Sequence, residues 1–185
     1  MSAAGWARAR VGAVLLAAIV IQTTVLAGLR VDGVSPDLML VIAIAGGLAG
    51  GPEQGAQIGF AAGLLTDLFV QATPLGLAAL TLCLVGYAVG ALQHTVLRAG
   101  WWLPPVVGLV GSSGAVLLFV AAGITVGQTQ LTAPGPLRLF EIAGLVGAMN
   151  AVLAAPVSRM VTWAAAGSAG AALVRQSQQD RAAVR

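Results

Sequence analysis

The chain has 185 residues, of which 58% are hydrophobic and 8% charged, and its mean hydropathy is +0.95. A water-soluble globule carries about 25% charged residues, so this composition excludes one and leaves an integral membrane protein. Strict apolar/polar alternation is absent, which argues against a transmembrane β-barrel, and long apolar runs spaced by Gly, Pro and charge predict an all-α, polytopic bundle. The net charge of +3 comes from nine arginines and no lysine. They fall at segment ends instead of forming a basic stripe, so they argue for membrane orientation and against a nucleic-acid partner.

A membrane-crossing helix needs about 20 apolar residues, and six segments are predicted on that measure. The first covers 11–29, an uncleaved span in which Gln22, Thr23 and Thr24 interrupt the apolar run. The second covers 36–50 and opens on Pro36, a residue favoured in a helix's first turn. Gly51-Pro52-Glu53-Gln54-Gly55 reads as a tight turn into the third, 56–71. Ala72-Thr73-Pro74 turns the chain into the fourth, 74–92. A loop with His94, Arg98, Trp101 and Trp102 precedes the fifth, 104–126, and a loop with Pro134 and Pro136 precedes the sixth, 137–161. Residues 1–163 form the transmembrane domain and 164–185 a polar, solvated cytoplasmic tail. With both termini inside, Arg8, Arg10, Arg98, Arg159, Arg175, Arg181 and Arg185 are cytoplasmic, and only Arg30 and Arg138 are outside. That bias, and the placement of Trp6, Trp101, Trp102 and Trp163 at the cytoplasmic interface, fixes the predicted orientation.

The third segment is the most informative. Gly55, Gly59, Gly63 and Asp67 recur every fourth residue, a row that drifts by roughly 120° over its three steps and so shares one broad face. Small residues at this spacing let a second helix approach closely. Gly86 and Gly90 repeat the pattern on the fourth segment. Asp67 costs about 2.5–3.5 kcal/mol at a membrane centre, so a partner is expected. The charged residues predicted on the same side suggest an outer polar cluster of Arg30, Asp37, Asp67, Arg138 and Glu141 that ties helix ends together. The rival reading makes Asp67 part of a ligand or proton site. Asn150 is expected as a satisfied packing contact of the sixth segment, with an interhelical hydrogen bond as the alternative. Cys83 is a lone thiol in an apolar run, and His94 has no neighbouring ligand set. No catalytic motif is found, and neither a metal nor a cofactor is expected.

Ser35-Pro36-Asp37-Leu38, then Gly59-Phe60-Ala61-Ala62-Gly63-Leu64-Leu65-Thr66-Asp67-Leu68, then Pro74-Leu75-Gly76 and Val85-Gly86-Tyr87 together resemble the rod shape-determining protein MreD family. The resemblance implies a non-catalytic inner-membrane subunit of the bacterial cell-wall elongation machinery. It implies MreC as the foremost partner, with links to MreB, RodA and a class B penicillin-binding protein. It also implies a fold similar to the substrate-binding membrane subunits of energy-coupling-factor transporters. Asp37 and Asp67 match the family's recurrent acids. Two functions follow for comparison. One is an assembly subunit that docks a partner's membrane span. The other is a small-molecule-binding transporter subunit, with a polar cavity lined by residues such as Gln22, Asp67 and Asn150.

Overall fold

The computed structural model describes residues 3–30, 32–70, 75–93, 103–127 and 135–183, with side-chain detail excluding 3–4, 7–8, 27, 103–104 and 165–183. It is all-helical. Helix α1 spans Ala3–Thr24 and ends in a 3-10 turn, Leu26–Gly28; α2 spans Leu38–Val70, α3 Leu77–Ala91, α4 Leu103–Thr125 and α5 Pro136–Ala183. Pro74, His94, Arg98, Trp101, Trp102 and Pro134 lie outside the described residues, as do the side chains of Arg8, Arg175 and Arg181 and the terminal Arg185.

Among the described residues the helical backbone is five continuous stretches, and one of them holds a sharp turn. The second and third expected spans are one segment, α2, doubled back at Gly51. Gly51 holds φ +80° and ψ −171°, a conformation essentially confined to glycine. Pro52 then opens the second arm, where its missing N–H costs nothing. The folding back is direct: a Cβ on Gly46 would lie 3.1 Å from the Cβ of Ile58, and one on Gly55 would lie 2.7 Å from the Cα of Gly47. Along a straight helix, Gly46 and Ile58 would be about 18 Å apart.

The first arm, residues 38–50, is the centre of the molecule. Leu38 through Gly47 are all buried, including Met39, Val41 and Ile44. A helix apolar on every side belongs inside a bundle. Around it, the tightest pairing is α2 with α3, followed by α4 with α5, while α1 packs on α5 and α2. Pro105–Thr125 and Pro136–Ala164 are long and apolar enough to cross a membrane by themselves, whereas Ala9–Thr24 and Leu77–Ala91 are apolar but shorter. The outward faces are oily: on the second arm of α2, Phe60, Leu64 and Leu68 are exposed one turn apart, opposite the buried Gly55, Gly59 and Gly63. Surfaces of that kind require lipid or a partner against them. The backbone of α5 stays helical through the segment expected as a solvated tail, to Ala183.

Candidate functional site

The glycine row of α2 meets α3 backbone to backbone. A Cβ on Gly55 would overlap the carbonyl oxygen of Gly86, one on Gly59 that of Leu82, and one on Gly63 would strike Ala78 and Ala79. The fit is reciprocal, because a Cβ on Gly86 would overlap Gly55 O and one on Gly90 would lie 2.5 Å from Gly51 O. All five glycines singled out by spacing therefore lie in one interface. No side chain separates the two helices at these points, which maximises dispersion contact where lipid offers no hydrophobic drive.

Asp67 ends that row, one turn beyond Gly63, and is 3% exposed. Its Oδ2 accepts the N–H of Gly76 (2.9 Å) and of Ala79 (3.1 Å), and its Oδ1 accepts the N–H of Ala78 (3.2 Å). These are orphan donors at the start of α3, where the helix dipole also favours negative charge. The turn that delivers them needs Gly76, whose φ of +99° is left-handed. A 15-residue α3 is only about 23 Å long at 1.5 Å per residue. Its first residues, Leu77 to Ala79, are buried, so their N–H groups need a protein acceptor, and a carboxylate from the neighbouring helix serves two of them.

The start of α2 is served in the same way. Asp37 accepts the N–H of Leu40 through Oδ1 (3.1 Å), Gln22 of α1 accepts the N–H of Leu38 (2.7 Å), and Asn150 of α5 accepts the N–H of Asp37 (2.9 Å). The Asn150 amide then donates to Ser112 of α4 (2.9 Å), and the Gln22 amide donates to Pro36 O (3.4 Å). Four helices thus meet at one capped helix end. Asn150→Ala would strip the acceptor from a part-buried N–H and leave a void, at a cost of about 1–3 kcal/mol. Ser112→Ala removes one partner only and should cost less, on the order of 0.6 kcal/mol. Thermal unfolding of both variants in one detergent checks that order.

The outer cluster expected from charge does not form as one group. Arg138 pairs with Asp32 (2.7 Å) and with Glu141 one turn away (2.9 Å), all three at the surface. Asp37 faces Asn150 and its own helix, and Asp67 faces α3. Arg30 is exposed and makes no ion pair among the described residues. The expected arginine partner of Asp67 is therefore replaced by backbone N–H groups, which satisfy a carboxylate without a second buried charge. Sequence reasoning missed Asp32 as an ion-pair partner. It also missed Gln22 and Ser112 as members of the α2 cap; Gln22 is flagged by its position in an otherwise apolar run. No buried side-chain polar atom is left unpaired among the described residues. A shallow groove of about 630 Å³ runs between Asp32 and Val34 on one side and α5 on the other, past Arg138, Glu141, Gly144 and Ala148.

The model of the rod shape-determining protein MreD family matches residues 8–127, more than half of the chain and all of the Gly55–Gly90 interface. No curated protein and no solved structure matches. The matched region contains both acids that cap helix starts, Asp37 and Asp67, together with the Gly76 turn that presents α3 to the second of them. The chain belongs to the rod shape-determining protein MreD family and is a non-catalytic, multi-pass membrane protein that acts in determining cell shape.

Proposed function

We propose that this protein is a docking subunit of the cell-wall elongation complex in the bacterial inner membrane. It crosses the membrane six times with both termini cytoplasmic, each arm of α2 counting as one crossing. It seats a partner's membrane span on its lipid-facing helices, MreC first, and through that assembly connects to MreB, RodA and a class B penicillin-binding protein. The observation that carries this reading is the destination of the intramembrane polar groups. Gln22, Asp67 and Asn150 all turn onto backbone or side-chain partners within the bundle. None of them lines the groove beside Arg138. A transporter subunit would aim such groups into a cavity; a scaffold uses them to hold its shape, leaving broad apolar faces for contact.

The test is site-directed photo-crosslinking in living cells from the exposed positions Phe60, Leu64, Leu84 and Tyr87. Capture of MreC from at least one of these is the expected result. Complete absence of association, together with a small molecule copurifying at one per chain, would replace the scaffold reading with the ligand-binding one.

A further inference from the structure

We propose that the end of the molecule carrying Arg10 and Arg159 is a binding site for the phosphate headgroup of an anionic phospholipid. The guanidinium carbon of Arg10, near the start of α1, lies 5.0 Å from the centroid of the Trp163 ring on α5. Stacking on an indole fixes the guanidinium plane and leaves its N–H donors pointing outward from the ring edge. Arg159 is four residues before Trp163, hence on the same face of α5. Two exposed arginines from two helices therefore lie on the side of α5 that carries Trp163, one of them stacked on its ring.

Neither has a carboxylate within ion-pair distance among the described residues. Arg138, also on α5, shows the contrast, being neutralised by both Asp32 and Glu141. A paired arginine at one site and two unpaired ones at another is the pattern of a structural link and a ligand site. The ligand chemistry is a phosphate diester, which guanidinium forks bind by two parallel hydrogen bonds. An amphiphile is favoured over a free anion because the surrounding surface is apolar and open: Trp163 and Met160 are 62% and 52% exposed. An exposed indole settles at the headgroup level of a bilayer, and basic sites between membrane helices take anionic headgroups. The inference rests on the membrane reading of the chain and is independent of partner docking.

The experiment is native mass spectrometry of the full chain extracted from vesicles of equal phosphatidylglycerol and phosphatidylcholine. Wild type is expected to retain the anionic lipid preferentially. Arg10→Gln with Arg159→Gln should reduce that preference roughly tenfold, and Arg10→Lys with Arg159→Lys should reduce it less, since the charge stays while the fork is lost. Should the double glutamine variant fail to fold, the single variants carry the comparison, each with a loss of about threefold. An undiminished preference in folded glutamine variants would overturn the proposal. Displacement of the lipid by millimolar inorganic phosphate would overturn it too, assigning the site to a free anion. Crosslinking from α2 and α3 should be unchanged in these variants, so failure of the docking reading is read separately.

Discussion

Asp67→Ala is expected to destabilise the protein by about 3–5 kcal/mol, because three N–H groups at the start of α3 lose their acceptor, two of them on the buried residues Ala78 and Ala79. Asp67→Asn should fall between. Its single oxygen can still serve Gly76 and Ala79, the two donors that share Oδ2, but its amide NH₂ then faces the N–H of Ala78 donor to donor. The order wild type, Asn, Ala is the discriminating result. If the carboxylate mattered through a charged partner, Asn and Ala would be equally damaging, since both abolish the charge. Reversible unfolding in mixed micelles, followed by helical circular dichroism, measures the order. Equal stability of all three would remove the capping role. The same ranking should appear in vivo, where α3 is one of the faces proposed to meet a partner, as progressively weaker capture of MreC from Leu84.

The sequence makes some of this visible and hides the rest for a physical reason. Four-residue spacing of Gly55, Gly59, Gly63 and Asp67 depends only on helix periodicity, so the packed face is readable before any fold is known. The composition likewise leaves no water-soluble option. What Asp67 bonds to is a different matter. Reading charges along a chain suggests other side chains as partners, here Arg30 and Arg138, because the orphan N–H groups of a helix start carry no letter in the sequence. The same blindness applies to the start of α2, where acceptors converge from positions 22, 37 and 150. Gln22 and Asn150 stand out as polar residues in apolar runs, yet nothing in their spacing says that both serve one helix end. The Gly51 turn is legible from Gly-Pro chemistry. That the short arm before it is the buried core, enclosed by the other helices, emerges only from packing.

Gly59→Leu is expected to separate the two helices outright, and Gly59→Ala already to cost about 1–3 kcal/mol. The new Cβ would overlap the carbonyl oxygen of Leu82 and lie 2.7 Å from its carbonyl carbon and 3.1 Å from the N of Cys83. Those are main-chain atoms of a helix, which cannot swing aside as a side chain can, so relief requires α3 to move as a body. Gly114 supplies the control: it is exposed and nothing lies within 4 Å of its added Cβ. Gly114→Ala should be neutral or stabilising by up to about 1 kcal/mol through helix propensity. The more telling consequence is coupling. Moving α3 off the glycine row also draws its first N–H groups away from Asp67, eight residues further along the same face. Gly59→Ala and Asp67→Asn should therefore be non-additive, the pair costing less than the sum of the singles by about 0.5 kcal/mol or more. Strict additivity in that double-mutant cycle would mean that the ridge and the carboxylate act separately. Non-additivity would establish them as one device, in which close backbone contact sets the distance and the acid fixes the register of α3 along it.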